Sequence, residues 1–149
     1  MSNVRTKRLS PADRELAKKM FVMMATVFDE RCEPLSDGYV DRLLSRTDFW
    51  AIAALIGDEV VGGITAHSLA MTRAESSEIL IYDLAVRRDF HRNGIGRRLI
   101  TALRTNAASI GIHTTCVAAD NHDVHALGFY RALGGIASPV TFFVFSNDE

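Results

Sequence analysis

Apolar residues recur along this chain at two different periods, and the switches between them divide it into strands and helices. Residues 4–9 alternate and predict a first strand. Ser10-Pro11, backed by Asp13 and Glu15, predicts a helix start, with Ser10 as N-cap and Pro11 in the first helical position. The stripe Leu16, Met20, Met23, Met24 and Val27 steps by threes and fours, so this helix buries one face, and its methionines read as core filling. Asp29-Glu30-Arg31-Cys32-Glu33-Pro34 is an acidic turn whose proline breaks the helix, and a second helix is predicted over residues 37–46. Residues 49–56 and 60–69 are rich in β-branched and aromatic types and are joined by Gly57-Asp58-Glu59, which predicts an antiparallel hairpin. Residues 79–86 are a third long apolar run. Residues 94–110 return to helical spacing at Ile95, Leu99, Ala102 and Leu103. A strand over 112–119, a helix over 123–133 stopped by Gly134-Gly135, and a last strand over 140–145 complete the pattern.

That order is strand, helices, three strands, helix, strand, helix, strand, which is not the regular alternation of a parallel sheet. It predicts an α+β (mixed α/β) fold, a mixed sheet covered by helices, in a single domain over residues 1–149. With 48% hydrophobic and 23% charged residues, the chain is far from the signature of disorder. Lys and Arg number 17 against 18 Asp and Glu, so the global positive field of a nucleic-acid binder is missing and no such partner is expected. Cys32 and Cys116 do not form a closely spaced framework and are expected to be free thiols. The N-terminus lacks the apolar stretch of a signal peptide, and no run approaches the ~20 apolar residues of a membrane span. The expectation is a cytoplasmic protein with no membrane partner.

The candidate chemistry is concentrated between the third long strand and the following helix. There Val86-Arg87-Arg88-Asp89-Phe90-His91-Arg92-Asn93-Gly94-Ile95-Gly96-Arg97-Arg98 places two glycines at a helix start, flanked by arginines. The first N–H groups of a helix lack intrahelical partners, and glycines let an anion approach the backbone, so a pyrophosphate fits. The bland alternative is a helix entrance with a solvated arginine cluster. No Gly-Lys-Ser/Thr follows, which argues against a P-loop, and Leu99 stands where a third dinucleotide-fold glycine belongs. A second feature is Asp83, a carboxylate inside an apolar strand, which must be paired, hydrogen-bonded or functional.

The segment ending in Gly94-Ile95-Gly96 resembles the Arg/Gln-x-x-Gly-x-Gly/Ala pyrophosphate loop of the GNAT acetyltransferase superfamily. His91 stands where that pattern has arginine or glutamine, which alters a side-chain contact but not the backbone cradle. Ala126-Leu127-Gly128-Phe129-Tyr130-Arg131-Ala132-Leu133-Gly134 is similar to the superfamily's Ala-x-x-aromatic-Tyr-x-x-x-Gly segment. The resemblance implies a central, largely antiparallel mixed sheet of six to seven strands with about four helices, acetyl-coenzyme A as cosubstrate, and no metal. It assigns cofactor contacts to the backbone near Leu84 and Val86, to His91, Arg92, Asn93, Gly94, Ile95, Gly96 and Arg97, and to Asn121. Tyr130 would protonate the departing thiolate, since a phenol keeps its proton at neutral pH; otherwise it is a buried ring with one hydrogen bond. Acetyl transfer needs a neutral amine, so a carboxylate or a water that it orients must take a proton first, and Asp83 is the first choice, ahead of Glu78 and Tyr82. No covalent intermediate is required, so Cys116 need not be a nucleophile.

Ser77-Glu78-Ile79-x-Ile81-Tyr82-Asp83-Leu84-Ala85-Val86, with Val4-Arg5-Thr6 to Leu9 and Asp58 to Gly62, is further similar to the aminoglycoside 3-N-acetyltransferases that modify gentamicin-type antibiotics. That likeness implies a small polycationic amine as acceptor and antibiotic resistance as the outcome. Candidate acceptor contacts are Asp29, Glu30 and Glu33 after the first helix, Glu78 and Tyr82 on the central strand, and Asp120 and Asp123 before the last helix; each charge has a solvated-surface alternative. Asp120-Asn121-His122-Asp123 with His125 matches no closed zinc pattern, and capping by Asp123 accounts for part of it. Another amine, a polyamine or a peptide N-terminus remain alternatives, as does a non-catalytic acyl-coenzyme A module. The 140–145 segment is apolar enough for its own sheet or for a dimer interface, and the resemblance favours a homodimer.

Overall fold

The computed structural model describes residues 3–147, in two compact units that meet in sequence at Ala118 and Ala119. The first unit holds five strands, β1 (Val4–Arg8), β2 (Phe49–Ile56), β3 (Glu59–Ala70), β4 (Ser77–Val86) and β5 (Thr115–Val117), with helices α1 (Arg14–Val27), α2 (Asp37–Ser45) and α3 (Ile95–Ser109). Its sheet runs β1-β2-β3-β4-β5 in chain order, antiparallel except that β5 lies parallel to β4. The fold is therefore mixed α+β, as the element order predicts.

Local chemistry explains most boundaries. Pro11–Asp13 forms a 3-10 turn that feeds α1, so the α-helix proper begins three residues after the proline. The Ser10 N–H is satisfied by the Asp13 carboxylate at 2.9 Å. Ser36 caps α2 by accepting from the Tyr39 N–H at 3.1 Å. Gly57, with φ of 60°, makes the tight β2–β3 connection.

The sheet is covered on both faces, and β2 accordingly reads as a continuous apolar run, buried from Phe49 to Leu55. Two adjacent glycines on β3 show how closely the helices approach. A Cβ on Gly62 would lie 3.0 Å from Ile95 Cγ2 of α3, whereas one on Gly63 would lie 2.6 Å from Met20 Cγ of α1. Successive strand residues face opposite sides, so these two glycines seat α3 and α1 on opposite faces. Met20 and Met24 are core residues there, as their spacing predicts. Arg14 reaches from α1 to grip Asp41 of α2 through two 2.8 Å bonds, and Lys18 meets Asp37 at 2.6 Å. These exposed pairs orient α2 more than they stabilise it.

The second unit contains α4 (Val124–Ala132). Asp123 caps it, accepting from the Ala126 N–H at 3.0 Å. Gly134, at φ of 93°, closes its C-terminal end, where the Gly135 N–H meets the Tyr130 carbonyl at 2.9 Å. Residues 140–145 form no strand, and β5 covers three residues of the expected 112–119, so the sheet has five strands rather than six to seven. Strand propensity measures fitness for a half-buried pleated surface, and without a neighbouring ladder it does not make a strand. Phe142 and Phe145 are instead exposed, 83% and 93% respectively. Cys32 and Cys116 are both free.

Candidate active site

The loop between β4 and α3 is a built turn. Arg88–Phe90 forms one 3-10 turn. Arg92 and Gly94 then adopt positive φ, 68° and 74°, and Gly94 becomes the N-cap of α3. The Gly94 carbonyl opens the helix by accepting from the Arg98 N–H at 3.1 Å. The N–H groups of Ile95, Gly96 and Arg97 are first-turn donors with no acceptor inside the helix, and no acidic residue occupies that turn. Asn93 Nδ2 donates to the Phe90 carbonyl at 3.1 Å. His91 Nε2 donates to the Val86 carbonyl at 2.8 Å, so this histidine ties the loop to the end of β4. Arg87 is engaged by Asp89, at 2.7 and 3.2 Å, and by Glu59.

β4 outruns its neighbour. β5 pairs with Ile79, Leu80 and Ile81, so among the described residues no strand lies against that side of β4 from Tyr82 to Val86. The Arg87 N–H donates to the Val61 carbonyl of β3 at 2.9 Å, and alternate residues of an antiparallel ladder bond to the same neighbour. Ala85 and Asp83 therefore point their backbone groups towards β3, and Leu84 and Val86 point theirs to the side without a strand, where the Val86 carbonyl accepts from His91.

A bulge brings two neighbouring side chains into one cleft. Thr65 pairs with Asp83 but Ala66 pairs with Ile81, leaving Tyr82 as the extra residue. A regular strand would send Tyr82 and Asp83 to opposite faces; here both line a cleft of about 480 Å³ with Thr65 and His67 of β3. Glu30 also lines it. Its position is set by the end of α1, where Asp29 takes φ of 54° and the Asp29 and Glu30 N–H groups bond to the Thr26 and Ala25 carbonyls at 3.1 and 2.9 Å. That is a Schellman closure with aspartate in the left-handed position. Burial raises the Asp83 carboxyl from its ordinary pKa, and the Glu30 charge adds to the effect.

The cleft thus gathers Glu30, Tyr82 and Asp83 from the expected residues. Asp29 instead meets Arg88 Nη2 at 3.5 Å, and the same nitrogen donates to the Val27 carbonyl at 3.3 Å, which joins the end of α1 to the anion loop. Glu33 is exposed in the α1–α2 connection, and Glu78 sits at the start of β4 opposite Leu69. Asp120, Asn121, Asp123 and Tyr130 belong to the second unit. There Asp120 accepts from the His122 N–H at 2.7 Å, and Tyr130 stands edge-on to Phe129, ring centroids 5.2 Å apart.

Sequence reasoning passed over the cleft's apolar wall and His67. Phe21, Met24 and Ala25 of α1 and its C-cap Phe28 line it at i, i+3, i+4 and i+7, a spacing that serves core and cleft alike. His67 sits between rings, 5.3 Å from Phe49 and 6.1 Å from Tyr82 by centroid. Its signal was the two-residue step from Thr65, the strand period.

Residues 16–134 match the family model described as the Acetyltransferase (GNAT) family. An aminoglycoside acetyltransferase, HMB0005, from an uncultured soil metagenomic sample has a similar structure, with a TM-score of 0.93, 32% identity, and coverage of 98% of this chain and 99% of that one. A second soil metagenomic aminoglycoside acetyltransferase, meta-AAC0020, solved with sisomicin, superposes with a TM-score of 0.93 at 28% identity, covering 97% and 96% of the two chains. The Bacillus subtilis protein YvbK, described as an uncharacterized N-acetyltransferase, is 28% identical over 99 residues, 66% of this chain; the match spans 59% of that relative.

Proposed function

This chain belongs to the GNAT acetyltransferase family, and from that premise we propose that it moves an acetyl group from acetyl-coenzyme A to an amine of an aminoglycoside, by direct attack of the amine on the thioester. The observation that carries the reading is Asp83, a half-buried carboxyl with a raised pKa in the cleft beside the unpaired stretch of β4. A base needs a pKa closer to working pH than an ordinary carboxylate has.

Residues 91–97 receive the pyrophosphate on the first-turn N–H groups of α3, and the outward backbone groups of Leu84 and the outward N–H of Val86, whose carbonyl His91 holds, hydrogen-bond the pantetheine arm. Asn121 adds a further contact to the cofactor. Asp83 takes a proton from the substrate ammonium, directly or through a water. The amine nitrogen then bonds to the acetyl carbon, the carbon–sulfur bond breaks, and Tyr130 gives its proton to the thiolate; the second proton, which the nitrogen loses as it becomes the amide, passes through water to restore the phenol, and Asp83 returns the first to solvent. Glu30 holds a second ammonium of the substrate in the cleft, and Asp29, Glu33, Glu78, Asp120 and Asp123 serve a polycation as longer-range attraction. The 3-amino group is the proposed position, on the likeness of the Tyr82–Val86 strand to 3-N-acetyltransferases, and resistance the cellular consequence. Support comes from two similar structures of aminoglycoside acetyltransferases. The protein acts in the cytoplasm, where acetyl-coenzyme A is made.

The test is thiol release from acetyl-coenzyme A with gentamicin, kanamycin, spermidine and a peptide amine, with the product mass and acetylated position determined. Turnover on gentamicin at its 3-amino group is expected; turnover confined to spermidine or the peptide would move the substrate to another class. The exposed apolar residues Val140 and Phe142 to Phe145 form the contact of a homodimer in this reading, so light scattering should return twice the chain mass of 16.4 kDa.

A further inference from the structure

α1 ends at a junction between distant parts of the chain. Its last carbonyls are taken in order: Met24 accepts from the Phe28 N–H at 3.2 Å, Ala25 from Glu30 at 2.9 Å and Thr26 from Asp29 at 3.1 Å. The next, Val27, accepts at 3.3 Å from Arg88 Nη2, which lies 61 residues further along, in the loop that leads into α3. The last turn of α1 carries no basic residue of its own, so this guanidinium also supplies the cation that the negative end of a helix favours. The same nitrogen meets Asp29 Oδ2 at 3.5 Å. Asp29 is the residue held at φ of 54°, and a non-glycine residue in that region persists where its surroundings fix it. Glu30 follows directly and lines the cleft with Asp83.

The neighbouring arginine does not share this task, because Glu59 and Asp89 hold Arg87. A cavity of about 310 Å³ lies between Met23, Thr26 and Val27 of α1 and the loop residues Arg87, Arg88 and Asp89. Among the described residues, the hydrogen bonds that cross this gap are the two that Arg88 makes. We propose that Arg88 is a positioning residue: by gripping the Val27 carbonyl and the Asp29 carboxylate from the anion loop, it fixes the turn that carries Glu30 into the acceptor cleft. This deepens the preceding reading and rests on its acetyl transfer, with Asp83 as base and Glu30 as ammonium contact. The side chains of Arg88 and Asp29 are exposed, 69% and 83% respectively, so their pairing selects a geometry and adds little stability. With Glu30 in place, Asp83 has a second carboxylate near it; Tyr39 of α2, His67 of β3 and Tyr82 of β4 are the other titratable side chains lining the same space. Releasing the turn moves Glu30 away from Asp83 and from the bound ammonium. One loop thus receives the cofactor and sets the charge on the acceptor side.

The sign of one titration separates this role from a simple charge effect. Deleting a cation raises the pKa of a nearby carboxyl, whereas moving Glu30 away lowers that of Asp83. The experiment follows the Asp83 side-chain carboxyl by carbon-13 NMR, identified by its loss in Asp83→Asn. The proteins are wild type, Arg88→Ala, Arg88→Lys, Asp29→Asn, Glu30→Gln and the double variant Arg88→Ala with Glu30→Gln. Asp83 should titrate lower in Arg88→Ala, as it does in Glu30→Gln, and the double variant should match Glu30→Gln alone, because both changes act through one group. Arg88→Lys should restore part of the wild-type midpoint, and Asp29→Asn should give a smaller fall, since the bond to Val27 remains. In steady state, Arg88→Ala should raise KM for the amine roughly twofold to fivefold, with KM for acetyl-coenzyme A and the melting temperature little changed. An Asp83 midpoint that rises or stays put, or a double variant shifted beyond Glu30→Gln, would overturn the proposal. A loss confined to KM for acetyl-coenzyme A would overturn it too, by making Arg88 a cofactor contact. The titration needs no turnover, so the two readings fail separately: silence on every amine, or an Asp83→Asn variant that keeps its acid limb, removes the preceding reading, while a lowered midpoint in Arg88→Ala still ties Glu30 to Arg88.

Discussion

Replacing Asp83 by asparagine keeps the size of the side chain and removes its basicity. An aliphatic amine with a pKa near that of lysine, about 10.4, is neutral in only about one molecule in 2,500 at pH 7, so the proton has to be taken within the bound complex. General-base catalysis is worth roughly a hundredfold to ten-thousandfold, or about 2.7 to 5.4 kcal/mol of barrier. Asp83→Asn should therefore lower kcat/KM by that factor. The wild-type profile should fall on the acid side with a slope of one, at a pH above that of an ordinary carboxylate, because burial and Glu30 both raise the group. The variant should lose that limb. Stability should move the other way. A raised folded-state pKa favours the protonated carboxyl, so the folded state is penalised as pH rises through that pKa, and the neutral amide is free of the penalty. Asp83→Asn should melt at the wild-type temperature or above it at pH 8. The assay is thiol release across pH 5 to 9 with a thermal melt of each protein. A variant within fivefold of wild type that retains the acid limb would refute Asp83 as the base.

Glu30→Gln removes the second cause of the Asp83 shift, so the acid limb should move to lower pH while burial keeps it above an unperturbed carboxylate; a limb moving upward would contradict the geometry. Tyr130→Phe should depress kcat by roughly tenfold to a hundredfold with little change in KM for acetyl-coenzyme A, if the phenol supplies the thiolate's proton. Gly63→Ala places a Cβ 2.6 Å from Met20 Cγ and 2.7 Å from its sulfur, an overpacking that should cost about 1 to 3 kcal/mol and lower the melting temperature by several degrees; an unchanged melt would mean that α1 moves freely on the sheet.

Much of this molecule is written in short-range pattern. The helical stripe of α1, the unbroken apolar run of β2, the glycine that turns β2 into β3 and the Gly94-Ile95-Gly96 entrance to α3 each follow from spacing and backbone stereochemistry within a few residues, and each lies where its pattern predicts. Asp83 was legible for the same reason, since a carboxylate in an apolar strand is anomalous wherever the strand goes. Long-range pairing decided the rest. That Tyr82 and Asp83 share a cleft depends on a bulge in the pairing with β3, and the open side of Leu84 and Val86 depends on β5 stopping at Val117. Glu30, Asp29 and Glu33 are equivalent as a string of acids; the left-handed turn at Asp29 sends only Glu30 to the cleft and gives Asp29 to Arg88. The 140–145 segment makes the point in the other direction, because six residues of strand-forming composition stay irregular without a partner ladder. Local sequence sets what each segment is able to become; pairing partners, which lie tens of residues away, select which side chains meet.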